Sequence, residues 1–286
     1  MSVRIFQDVV TDENHLKKLQ VYWCPFCKSE LKSLGQIDKS DPIHKDRFPD
    51  YTNIRVCNFC GWWVVSRYNA ERYGGEKNNA AFEDSRHWYS SIAGKLKEMD
   101  VTDVSIPIDE LSRQLIIKRQ SRFTVNPQRF EDLVSQLLKD FGFDIIATSY
   151  GGNKVKGRGD EGLDVIVLNS SKNEIIGVQV KRTVNRIEAE QIRSIFGALI
   201  LKGITKGIFV TTSAYTRGAN ATSIKAELRG VPIELWDGDK FLDKLKISLR
   251  PMYNTIDDTN APFYPYIQGK KELITYDFKD HFEVYD

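Results

Sequence analysis

From Asn126 onward, apolar side chains recur at Phe130, Leu133, Val134, Leu137, Leu138 and Phe141, three and four residues apart, the spacing of one helix face. Asn126 is a good N-cap, Pro127 suits the first helical position, and Gly142 ends the pattern. The pattern then shortens to apolar runs, which predict strands over 144–149, 163–168 and 175–181. A helix is predicted over 188–202, a strand over 207–212, a helix over 217–229, a strand over 231–236 and a last helix over 240–247. This order predicts an α/β fold in which a mixed central sheet is flanked by helices. Residues 76–122 are polar and weakly patterned and are predicted to be a helical connector, with pieces over 93–99 and 107–120. The expected division is a small N-terminal domain over 1–75, the connector over 76–122, the α/β domain over 123–250 and a tail over 251–286. The tail is rich in Tyr, Phe and acids and is expected to pack on the body or on a protein partner.

The four cysteines fall into two C-x-x-C pairs, Cys24 with Cys27 and Cys57 with Cys60. Two short turns of this kind can aim four thiolates at one tetrahedral ion, which predicts a structural zinc and a zinc-ribbon domain. With four ligands supplied, the metal has no open position for chemistry, and His15 and His44 are read as surface residues. Trp62 and Trp63 follow the second pair; they are expected to cover the faces of a ribbon with little core of its own, ahead of the alternative that they stack on a base.

Charge changes the picture little. Lysine and arginine total 41 against 39 aspartates and glutamates, so any surface for nucleic acid must be a local patch. No apolar run is long enough to cross a membrane, and Met1 to Val10 carries Asp8 without an apolar core, which predicts a soluble, cytoplasmic protein with no membrane partner.

The candidate chemistry lies in the two strands around 163–168 and 175–181, joined by a short polar segment and expected to form an antiparallel hairpin. If Leu168 faces Ile175, then Asp164 faces Gln179, and alternation puts Gln179 and Lys181 on one side. Polar groups in such apolar strands would be costly to bury without a role. A carboxylate, an amide oxygen and the Val180 carbonyl can ligate a hard cation such as Mg²⁺ beside the lysine ammonium. Glu131, at the margin of the buried stripe of the first helix, is a candidate second carboxylate, although an acid in a first helical turn also simply complements the dipole.

These residues carry a resemblance. Phe130-Glu131-Asp132-Leu133, Gly159-Asp160-Glu161-Gly162-Leu163-Asp164, Val178-Gln179-Val180-Lys181 and Gly207-Ile208-Phe209-Val210-Thr211-Thr212 occur in the order of Mrr-like restriction endonucleases. These are members of the PD-(D/E)xK nuclease superfamily, and the resemblance runs from about Phe123 to Leu245. It implies a restriction-endonuclease-like core and a Mg-dependent endodeoxyribonuclease of a restriction or antiviral defence system. Asp164 and Gln179 would bind the metal, Lys181 would position or activate the water, and Glu131 would assist. Gln179 departs from the usual acid of the superfamily, as it does in Mrr-like members, and removes one negative charge. Lys154, Lys156 and Arg158 in the Gly-rich loop, with Arg182 and Arg186 after Lys181, are candidate DNA contacts, the alternative being solvated charges. Cutting both strands would call for a second active site, hence a homodimer; a protein partner could dock on the zinc ribbon or the tail. Two other functions stay open: a junction-type nuclease, and a nuclease-like module that binds DNA without cutting.

Overall fold

The computed structural model describes residues 6–9, 23–40, 42, 49–73, 84–96, 98–148 and 162–277. In chain order the elements are β1 (Phe6–Val9), β2 (Lys32–Asp38), β3 (Asp50–Val56), β4 (Trp63–Tyr73), β5 (Asp84–Leu96), α1 (Ile108–Ile117) and a 3-10 turn (Arg119–Phe123). They continue with α2 (Pro127–Asp140), β6 (Asp144–Thr148), β7 (Val165–Asn169), β8 (Glu174–Lys181), α3 (Ala189–Leu201), β9 (Gly207–Thr211) and α4 (Arg217–Glu227). The last four are β10 (Ile233–Trp236), α5 (Gly238–Ser248), α6 (Tyr264–Ile267) and β11 (Ile274–Asp277). The chain separates into two compact units, one formed by 1–98 with 250–286 and the other by 99–249.

In the first unit, β2, β3, β4 and β5 form an antiparallel sheet, with β1 and β11 both pairing β5. Two expectations give way here. The connector is not helical at its start: residues 84–96 are a strand, and Trp63↔Gly94 and Val64↔Ala93 pair where a helix over 93–99 was expected. Ladder partners some thirty positions back in the sequence leave no local periodicity to read. The tail is not a separate segment either, since it belongs to the unit of the N-terminal sheet. Trp63 meets the rings of Phe263 and Tyr266 with centroids 6.1 and 5.7 Å apart. Its indole also covers Gly94, where no Cβ would fit. Trp62 and Trp63 are 1% and 3% exposed, as the core reading of these residues requires.

The second unit holds a five-stranded sheet in the order β10-β9-β8-β7-β6, antiparallel from β6 to β8 and parallel from β8 to β10. This is the mixed α/β architecture expected from the pattern. α2 begins where Asn126 Oδ1 accepts from the amides of Gln128 (2.9 Å) and Arg129 (3.4 Å), a cap of about 1 kcal/mol. Its Phe130, Leu133, Val134, Leu137 and Leu138 are fully buried, each stabilising the fold by about 1.5–3 kcal/mol relative to exposure. They pack with residues of α1 and α5 on the sheet face of Val165, Val167, Ile176, Val178 and Val180. On the opposite face, Ile166 and Phe209 pack with Ile192, Ile195 and Leu199 of α3 and Ala219 and Ala226 of α4. Gly177 and Gly207 are register partners under Leu199; a Cβ at either would come within 2.5 or 2.6 Å of its methyls, so these glycines let α3 close on the sheet.

Candidate active site

The β7–β8 hairpin has the register read from its sequence. Leu168 pairs Ile175 and Val165 pairs Val178, which sets Asp164 opposite Gln179 at the open end. Its turn is fixed by Lys172 N donating to Asn169 O (3.1 Å) and by Asn173 at φ 50, a left-handed position that asparagine tolerates. At the open end, Asp164 N donates to Val178 O at 2.9 Å, continuing the ladder one residue past β7. The Asp164 carboxylate turns toward β8: Oδ2 accepts from Gln179 Nε2 and from Val180 N, both at 2.6 Å. Lys181 follows as the last residue of β8 and is exposed. An acid and an amide therefore meet at the strand ends, half-buried, and Lys181 shares their sheet face by alternation.

Two groups meet the acid. Gln179 presents its amide nitrogen, not its oxygen, and Val180 its backbone N–H, not its carbonyl. The reason is charge: a carboxylate draws the available N–H donors. The donors at hand, a carboxylate and an amide that can turn over, are oxygen ligands of the kind a hard divalent ion takes. Among the described residues, the four cysteines are the one group of three or more acids, thiols or imidazoles that closes on a common point. A cation at Asp164 would therefore lean on neutral oxygens and water.

Glu131 lies half-buried on α2, which packs on the other face of the sheet. Arg182 Nη1 donates to Phe123 O (3.1 Å) and ties the segment that leads into α2 to the residue after Lys181. Arg182 thus holds a backbone carbonyl, whereas Arg186 is exposed. Lys154, Lys156, Arg158, His15 and His44 lie outside the described residues. Thr211 and Thr212 are fully buried and bond to the backbone at 181–183. Gln191 closes the capping box of α3, with its Oε1 accepting from Glu188 N at 2.8 Å.

The cysteines form the second constellation. Both pairs sit in matching turns: Cys24 N donates to Ser29 O and Lys28 N to Cys24 O, as Cys57 N does to Trp62 O and Gly61 N to Cys57 O. Lys28 (φ 57) and Gly61 (φ 74) take the left-handed conformation that closes each turn. All four sulfurs lie within 4.8 Å of one another, with Cys24–Cys60 and Cys27–Cys57 at 3.3 Å. Zn–S bonds of about 2.3 Å in a tetrahedron place sulfurs ~3.8 Å apart, so the cluster has the size of such a site. Hydrogen bonding from the Cys24 thiol holds the Cys27 and Cys57 sulfurs below the thiol range, while the crowded, buried Cys24 and Cys60 lie above it. Binding of a cation by such a cluster would release its thiol protons.

A mixed sheet with an αβββαβ order defines an α/β class of fold, and the comparisons are more specific. Residues 123–245 match the family model described as "Restriction endonuclease", the Mrr catalytic domain. Over 101 residues, 33% of the chain, the sequence is 36% identical to the type IV methyl-directed restriction enzyme EcoKMrr of Escherichia coli (strain K12). The chain spans about a third (31%) of that relative's length. It is also similar to the solved structure of MspJI restriction endonuclease in complex with a 27-mer oligonucleotide, at 14% identity and a TM-score of 0.35. That similarity covers 67% of this chain and 55% of the other. Residues 123–245 are thus similar to the catalytic domain of Mrr-type restriction endonucleases. Among the described residues, no helix is long and apolar enough to cross a membrane.

Proposed function

We propose that this chain is a metal-dependent DNA endonuclease that hydrolyses phosphodiester bonds in foreign or modified DNA. The carrying observation is the Asp164–Gln179 contact, at 2.6 Å, at the strand ends of an Mrr-type domain with Lys181 two residues on. The methyl-directed relative supports modified DNA as the substrate.

In this reading Asp164, Gln179 and the backbone of Val180 hold a magnesium ion. A magnesium ion held by these residues would supply Lewis-acid polarisation of the phosphate and an acidified water. Asp164 supplies the formal charge of the hairpin, and Gln179 turns its amide over to offer Oε1. Lys181 brings its ammonium beside the phosphate to offset developing charge and to orient the water, and Glu131 adds a carboxylate from the same end. Arg186 and the basic residues of loop 151–162 meet the DNA backbone, while Arg182 anchors the chain near Phe123. The four cysteines hold a structural zinc, a homodimer supplies the second cut, and the protein works in the cytoplasm.

A second reading has its own support. Both N–H donors, Gln179 Nε2 and Val180 N, fall on Oδ2 of Asp164, as they would in a module that binds DNA and no longer cuts. Incubating the purified protein with unmodified plasmid, methylated plasmid and a four-way junction, with and without Mg²⁺, separates the readings. Mg²⁺-dependent cutting of the methylated plasmid is expected. Binding without nicking favours the module, and cutting confined to the junction favours a branch-specific nuclease.

A further inference from the structure

The strand β9 reads Gly-Ile-Phe-Val-Thr and continues into Thr212 and Ser213, an apolar run that ends in three consecutive hydroxyls. Thr211 and Thr212 are 0% exposed and Ser213 is 9% exposed. Burying hydroxyls in such a strand is unfavourable unless each finds a partner. All three find theirs on the same stretch of neighbouring chain, the residues that leave β8. Thr211 Oγ1 donates to Lys181 O at 2.9 Å. Thr212 Oγ1 accepts from Thr183 N (2.9 Å) and donates to Thr183 O (2.8 Å), so it grips that residue at both ends. Ser213 Oγ donates to Val184 O at 3.1 Å.

The regular parallel ladder of β8 and β9 ends at the pair Lys181↔Thr211. Beyond it β8 peels away, and hydroxyls take over where backbone pairing stops. The gripping strand end is itself held from behind: Arg122 Nε donates to Thr212 O at 2.9 Å and Gly238 N to Ser213 O at 2.7 Å. Backbone pairing resumes only at Ile187, whose N donates to Ala214 O (2.9 Å), and Arg182 reaches Phe123 O, so between these ties the hydroxyls are what hold the backbone of 183–184 to the strand end.

We infer that Thr211, Thr212 and Ser213 form a hydroxyl clamp whose job is to position Lys181 against the Asp164–Gln179 pair. They are positioning residues and touch no substrate. The inference rests on the nuclease reading for its effect on rate, and on hydrogen bonding alone for the clamp itself.

The test compares the parent protein with Thr212→Val, which keeps the shape and loses both bonds to Thr183, and with Thr212→Ser, which keeps the hydroxyl. Each is measured for amide hydrogen exchange at Thr183, for DNA affinity, and for single-turnover cutting of plasmid in Mg²⁺. In Thr212→Val the Thr183 amide should exchange at least ~10-fold faster, with the fold retained by circular dichroism. Cutting should slow on the order of 10- to 100-fold with DNA affinity within about twofold, because a misplaced catalytic group costs rate more than binding. Thr212→Ser should recover both. Unchanged exchange at Thr183 in Thr212→Val overturns the clamp, whether or not the parent protein cuts DNA. Faster exchange with an unchanged cutting rate, or a rate that falls only in step with affinity, overturns the positioning role. A parent protein that cuts no DNA with any metal overturns the nuclease reading, and with it the positioning role, while exchange at Thr183 still decides the clamp.

Discussion

Gln179 donates its side-chain amide to the Asp164 carboxylate across the β7–β8 hairpin at 2.6 Å, and Val180 N reaches the same oxygen. The pair joins a charge to a neutral partner. A neutral amide can satisfy the carboxylate when no cation is near and can present oxygen when one is. A site of this kind would trade metal affinity for cohesion of its own side chains.

Replacing Gln179 with Glu tests that trade. Two carboxylates in this contact cannot both ionise without a cation, so one is held above the ordinary range. A carboxyl whose folded-state affinity for protons is raised loses stability as pH rises through its folded pKa. Without metal, Gln179→Glu should lose about 1–3 kcal/mol at neutral pH, with the deficit in Tm shrinking toward acid. Added Mg²⁺ should close the deficit and bind more tightly than in the parent, read by calorimetric titration.

Asp164→Ala should abolish Mg²⁺-dependent cutting. It leaves the Gln179 amide and Val180 N–H without their acceptor, so a modest loss of about 1–3 kcal/mol is expected from denaturant unfolding. Cutting retained at the parent rate would remove Asp164 from the site.

Cys57→Ser should lose the bound zinc, measured by elemental analysis as one zinc per chain in the parent and close to none in the variant. The sheet formed by β1 to β5 with β11 should exchange its amides faster, while residues 99–249, a separate unit, keep their protection.

Gly238→Ala should destabilise the α/β unit by about 1–3 kcal/mol through overpacking. A Cβ there would overlap the Thr212 carbonyl oxygen and lie 2.6 Å from Arg122 Nε. A lowered Tm that Arg122→Ala partly relieves would show that the crowding is between these groups.

What could be read from the sequence was what is decided locally. The cap at Asn126, the apolar stripe of α2 and the hairpin register through Leu168↔Ile175 all follow from neighbours close in the chain. The zinc-sized cluster was equally legible, because the two C-x-x-C turns each fix half of it. β5 was not, since its polar stretch becomes a strand only through β4, and the place of the tail depends on Trp63 reaching Phe263 and Tyr266. The atom each side chain would present was also hidden. Pattern put Gln179 beside Asp164, but the carboxylate's demand for N–H donors decided which end of the amide faces it. The partners of Thr212 and Ser213 were out of reach for the same reason, since they lie on chain about thirty positions away.

The most direct measurement is single-turnover cutting of methylated plasmid in Mg²⁺ by the parent and by Lys181→Ala, each at protein concentrations that saturate the DNA. The account predicts rapid cutting by the parent, none without the metal, and a rate at least ~100-fold lower in the variant with DNA still bound. Equal rates in the two proteins, or a parent that binds the plasmid and leaves it intact in Mg²⁺, would contradict it.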